Sequence, residues 1–215
     1  PPISTPLYSS AASDVYKRQG ILDKMEFDIE EVGKPLFFKW GDCKLKTVSY
    51  GHGITVTPIQ LAKGYAILSN GGYQVNQTVI KSKFDKSKRK KILNDDLSSK
   101  INSILRKVVT NGTASLSDVE GYEVGGKTGT AQIVEKGLYT KKKINTFASV
   151  FPTSNPKYVL IVLLEDTKLS KDYVYKYRNK PGSYKGTPFN TAGWTSVEIA
   201  GKIIDKIGPI LATKY

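Results

Sequence analysis

The chain has 215 residues, 39% of them hydrophobic and 24% charged, which supports one globular domain with its own core and excludes a disordered chain. Lys and Arg outnumber Asp and Glu by 33 to 19, for a formal net charge of +14, yet the excess is concentrated in residues 81–91 and 141–143 without interleaved aromatics, a pattern that argues against nucleic-acid binding. A single cysteine, Cys43, and a single histidine, His52, supply neither a disulfide framework nor a zinc site, so no metal or cofactor is expected; the longest apolar run, residues 158–164, falls far short of the roughly 20 residues that cross a bilayer.

In chain order, Ser9 to Gln19, SSAASDVYKRQ, reads codon for codon as a translation of the transposase adaptor of sequencing libraries. Residues 1–19 are therefore expected to be an adaptor-derived artefact without structural role, and residues 20–215 to be the natural part, cut at Gly20 rather than at a domain boundary.

Thr57-Pro58-Ile59-Gln60 carries an N-cap threonine, a proline at the first helical position and a glutamine at the third, which together predict a capping box and a helix start. Leu61, Ala62, Tyr65, Ala66 and Leu68 follow at helical spacing, and Asn70-Gly71-Gly72 gives the stop. A second helix is predicted from Asn94-Asp95-Asp96, with Leu97, Ile101, Ile104, Leu105, Val108 and Val109 as its apolar stripe and Asn111-Gly112 as its end.

Residues 126–134, 146–151 and 158–165 read as three strands, the last two joined by a short turn. The third is apolar without alternation, which predicts a central strand covered on both faces. Residues 168–191, rich in Tyr, Lys and Gly, form a long connection of the kind that edges a functional cleft. A final helix is predicted from a second capping box, Thr195 to Glu198, with Val197, Ala200, Ile203, Ile204, Ile207 and Leu211 facing the sheet. The fold class expected is α/β of the α+β type, an antiparallel sheet flanked by helices.

The chemistry is concentrated in Gly125-Gly126-Lys127-Thr128-Gly129-Thr130. Gly121 to Thr128, GYEVGGKT, satisfies the P-loop pattern by letter, but Gly129 breaks the helix that a nucleotide phosphate would need at Lys127-Thr128, and residues 130–134 continue as a strand. A strand with Lys-Thr-Gly suits a different task. The ammonium raises the local potential, threonine hydroxyls can hold a carboxylate, and a glycine without a side chain lets a substrate lie against the backbone. An N–H just after the glycine can then face a developing oxyanion.

Four blocks carry a resemblance to class B penicillin-binding proteins: residues 50–62 with the following YAILSNGG, the VVTNGTA of residues 108–114, the GYEVGGKTGTAQ of residues 121–132, and the hairpin from Phe147 through Asn155-Pro156 into the Tyr158 strand. They recur in family order across residues 20–215, and the first block, with Ala192-Gly193-Trp194, looks most like the cell-division transpeptidases. The resemblance implies an incomplete penicillin-binding-protein/β-lactamase-like fold and a serine-type D,D-transpeptidase acting on peptidoglycan. It implies Lys127 as the catalytic residue, Thr128, Gly129 and Thr130 as substrate-binding residues, and the Thr130 N–H as half of an oxyanion hole. Implied ligands are stem peptides ending in D-Ala-D-Ala and β-lactams. The implied partner is a division-machinery glycosyltransferase, and the implied location is the extracytoplasmic face of the bacterial inner membrane, with an N-terminal anchor.

The family's Ser-x-x-Lys and Ser-x-Asn motifs are expected upstream of Lys127 and do not occur there in usable form. Ser87 to Lys90 lies in the Lys/Arg run, Ser154 to Lys157 lies in a turn, and Tyr177-Arg178-Asn179 is a Tyr-x-Asn variant in the wrong order. The chain as it stands is therefore expected to be inactive. An alternative on the same motifs is a non-catalytic β-lactam-sensing domain, which differs in what is fused upstream. His52 is expected to pack in a turn rather than to catalyse.

Overall fold

A computed structural model describes residues 24, 27–29, 54–81, 89–136, 138–168, 170–176, 181–186 and 189–214. Residues 1–19, Cys43, the block of residues 50–53 with His52, Ser87 and Tyr177-Arg178-Asn179 lie outside them.

Helix α1 (Pro58–Ser69) starts where the capping box predicts. Gln60 donates its N–H to Thr57 Oγ1 at 3.3 Å, and Thr57 donates its own to Gln60 Oε1 at 3.0 Å. Asn70 closes the helix, followed by Gly71 and Gly72 at φ of +90° and +82°. Thr57→Ala is expected to destabilise the fold by about 1 kcal/mol, read as a lower urea midpoint at unchanged slope.

The face α1 buries differs from the predicted stripe. Gln60, Gly64, Ile67 and Ser69 are buried while Leu61, Tyr65 and Leu68 are only half-buried, because α1 is wedged between the sheet and α2 and has more than one contact face. Helix α2 (Asp95–Thr110) is capped by Asn94, whose Oδ1 accepts the Leu97 N–H at 2.8 Å. Leu105 and Val109 of its stripe are buried, but Leu97 and Ile104 are exposed. In their stead Ser98 and Asn102 turn inward to serve the end of α1. Ser98 donates to the Leu68 carbonyl at 2.6 Å and accepts the Gly71 N–H at 3.0 Å, and Asn102 donates to the Ser69 carbonyl at 3.1 Å. Carbonyls in the last turn of a helix need such partners once buried.

Strands β1 (Gly125–Glu135), β2 (Leu138–Phe151) and β3 (Tyr158–Glu165) make an antiparallel sheet in the order β1-β2-β3. Strand β2 begins eight residues before the prediction, since residues 138–145 pair with β1 in a projecting hairpin and Lys142 bonds Glu135 at 2.8 Å. A lysine run that reads as loop is here a solvated strand. The middle of the sheet is β2, and β3, predicted to be central, is an edge among the described residues. Its apolar character answers two neighbours, α1 and α3, both of which pack on β2 and β3.

Helix α3 (Ser196–Ala212) covers one face, where Val197, Ala200 and Ile204 meet Phe147, Phe151 and Val162 in the main core. The alternate residues Ala148 and Val150 are buried on the other face, toward α1. The predicted capping box at the start of α3 does not form. Thr195 Oγ1 donates to the Thr191 carbonyl at 2.9 Å, and Glu198 is engaged by Tyr173 at 3.0 Å and Lys202 at 3.3 Å. Ile207, placed in the stripe by spacing, stays partly exposed, and Gly208 is buried against Tyr122 instead. The long connection carries a ribbon of β4 (Val174–Lys176) and β5 (Ser183–Lys185), whose Tyr175 and Tyr184 pack on Trp194.

Candidate active site

Lys127 and Thr128 sit inside β1, with no helix beginning at them, so the geometry of a nucleotide-phosphate loop is absent. Gly126 marks a close approach: a Cβ there would stand 2.6 Å from the Phe147 ring and from the Ala148 carbonyl. The ladder pairs Lys127 with Ala148, Thr128 with Phe147 and Thr130 with Asn145. Cross-strand partners share a face, so both threonines project from one face of β1 and Lys127 starts from the other. Its chain nevertheless bends along the strand, and Lys127 Nζ donates to the Thr128 carbonyl at 2.6 Å.

The threonine face opens on a cleft of about 520 Å³ lined by Gly112, Thr113, Ser115, Thr128, Thr130 and Trp194, among others. Its walls come from three elements: the turn after α2, the edge strand β1, and the short 3-10 turn Ala192–Trp194 that leads into α3. Within it, Thr113 Oγ1 lies 3.1 Å from Thr128 Oγ1. Thr130, itself exposed, is tied through the buried Asn145 into a polar chain. Its hydroxyl donates to Asn145 Oδ1 at 3.2 Å and accepts the Ala192 N–H at 3.0 Å, while Asn145 Nδ2 donates to Asn190 Oδ1 at 2.6 Å. Lys143 Nζ caps that chain on the Asn190 carbonyl at 3.2 Å.

Sequence reasoning thus located the Lys127 to Thr130 strand but missed Thr113, Asn145 and Asn190. The only signal for Thr113 was its position in the Asn111-Gly112-Thr113-Ala114 helix stop. Ser154, one of the two Ser-x-x-Lys serines, is exposed in the turn between β2 and β3, where its N–H bonds Glu123 Oε2 at 3.2 Å. It does not line the cleft. On the far side of Trp194 a second cavity of about 290 Å³ holds Tyr173, Glu198 and Lys202. There the Tyr173 hydroxyl, with help from Glu198, raises the Lys202 pKa above the usual lysine value.

An antiparallel sheet with helices on both faces, whose Lys-Thr-Gly-Thr run lies on a strand that is an edge among the described residues and borders a cleft, is the fold class of the transpeptidase domains. Residues 9–185 match the penicillin-binding protein transpeptidase domain, and the chain belongs to that family. It is 27% identical over 214 residues to the probable peptidoglycan D,D-transpeptidase FtsI of Caulobacter vibrioides, covering 94% of this chain and 34% of that protein. It is 30% identical over 171 residues to peptidoglycan D,D-transpeptidase FtsI of Escherichia coli K12, covering 77% of this chain and 29% of that protein. The chain therefore spans about a third of the length of these relatives. The transpeptidase domain of Burkholderia pseudomallei penicillin-binding protein 3 has the same fold, with a TM-score of 0.72 at 21% identity over 92% of this chain and 56% of that one.

Proposed function

We propose that the chain is a portion of the transpeptidase domain of a cell-division peptidoglycan D,D-transpeptidase. In this reading a serine from outside the described residues attacks the carbonyl of the penultimate D-alanine of a stem peptide, the terminal D-alanine leaves with a proton on its new amine, and an amine of a neighbouring stem displaces the serine to form the cross-link. Lys127 supplies positive potential, Thr128 holds the terminal carboxylate, Thr130 serves through its backbone N–H while its hydroxyl is held by Asn145, and Gly129 lets the peptide lie along β1. The observation that carries the reading is the Lys127 to Thr130 run on a strand that is an edge among the described residues, its threonines lining the cleft.

The bond from Lys127 to the Thr128 carbonyl supports an outward orientation of that residue's amide groups. Alternation then turns the Thr130 N–H outward too, where half an oxyanion hole is needed. The cell-division type, the extracytoplasmic location, the membrane anchor and a glycosyltransferase partner belong to this proposal through the resemblance of residues 50–62 and of Ala192-Gly193-Trp194 to the cell-division transpeptidases. Ser115, which lines the cleft, sits in a short 3-10 turn followed by Leu116-Ser117-Asp118 and so lacks the lysine of a Ser-x-x-Lys motif; this chain by itself is expected to take no acyl group. The test is labelling with a fluorescent penicillin, followed by intact mass. The full-length protein is expected to gain one adduct and residues 20–215 none; an unlabelled full-length protein would sink the reading, and a labelled fragment would refute its inactivity.

A further inference from the structure

We infer that Thr113 is a second hydroxyl of the carboxylate site, pairing with Thr128 to clasp the anionic end of the substrate; the inference rests on the acyl-transfer reading above. Its starting point is the direction of the hydrogen bonds at Thr130, which can be traced from a fixed end. The Thr167 carbonyl can only accept, so Asn190 turns its amide nitrogen toward it, at 2.9 Å. Asn190 Oδ1 then accepts from Asn145 Nδ2 at 2.6 Å, which leaves Asn145 Oδ1 facing Thr130 at 3.2 Å. Thr130 must therefore donate its single hydroxyl proton to Asn145. Asn145 is fully buried, so withdrawing that proton for a ligand leaves a buried carbonyl oxygen unpaired.

The Thr113 and Thr128 hydroxyls are placed differently. Between them they have two protons and one mutual bond, at 3.1 Å, so one proton always remains for the cleft. A carboxylate arriving at either hydroxyl sets the direction of the pair, and a hydroxyl that already accepts a bond is the stronger donor. The backbone of Thr113 is restrained on three sides while its side chain is exposed. Gly112 lies against the Val108 carbonyl, where a Cβ would come within 2.7 Å; the fully buried Ala114 gives its N–H to that same carbonyl at 3.1 Å; and a Cβ on Gly193 would stand 2.8 Å from the Thr113 carbonyl. An exposed hydroxyl held this firmly is what a binding contact requires.

The experiment uses the full-length protein and two probes, benzylpenicillin and its methyl ester, with the acylation rate followed by intact mass. Thr113→Val is expected to slow acylation by the free acid about tenfold while changing the ester rate less than about twofold, because only the acid presents an anion to the clasp. Thr113→Ser, which keeps the hydroxyl, should restore the rate with the acid. A Val variant that acylates at the unsubstituted rate, or that slows equally with acid and ester, overturns the inference. An unsubstituted protein that takes no adduct from either probe overturns the acyl-transfer reading, and this one with it.

Discussion

Lys127→Ala in the full-length protein is expected to slow acylation by a penicillin by more than about 100-fold, and Thr128→Val by about 10-fold to 100-fold. The order follows from what each substitution removes. Thr128→Val deletes one donor to a carboxylate and strands the Thr113 hydroxyl that bonds it, a loss on the scale of one or two charge-assisted hydrogen bonds. Lys127→Ala deletes a whole charge that lies along β1, an edge among the described residues, hydrogen-bonded to the Thr128 carbonyl. A low-dielectric cleft in the assembled domain enlarges that difference. The two losses act on neighbouring parts of one substrate, so the double variant should fall short of their product. Second-order acylation rates decide it: both variants acylating at the unsubstituted rate would remove Lys127 and Thr128 from the site.

Much of this fold is legible because its signals are local. Thr57 and Asn94 name their helix starts through bonds that span three residues, and Asn70 and Asn111 name the ends. Where a residue's fate depends on a distant element, the pattern misleads. Ser98 and Asn102 look like solvent-facing residues of α2 and are buried because α1 ends against them, while Leu97 and Ile104 look like core and are exposed. Thr195 and Glu198 have capping-box spacing, yet each finds a stronger partner, one in the turn before the helix and one in the 168–191 connection.

The candidate site divides along the same line. Its strand motif is contiguous, so it can be read; the groups that orient it come from the turn after α2, from β2 and from the connection, and only folding assembles them. Lys143 illustrates the difficulty, since the run of residues 141–143 reads as a solvated loop and yet reaches the Asn190 carbonyl behind the threonine cleft.

Phe147→Ala should destabilise the protein by about 3–5 kcal/mol, a third or more of the stability of a typical domain. Phe147 is fully buried in the main core between β2 and α3, and it faces Thr128 across the ladder. Its ring fills the space that Gly126 leaves beside the motif, since a Cβ at Gly126 would lie 2.6 Å from it. Truncation therefore opens a cavity directly behind the strand that carries Lys127 and Thr128. Gly126→Ala tests the same contact from the other side and is expected to cost about 1–3 kcal/mol through overpacking. Combined, the two changes partly cancel, because the added methyl enters the space the ring vacates, so the double variant should be more stable than the sum of the single losses by on the order of 1 kcal/mol. Urea unfolding of the four proteins measures this. Strict additivity would mean that Gly126 and Phe147 do not touch, and a Phe147→Ala loss below about 1 kcal/mol would mean that the sheet does not pack on α3 through this ring.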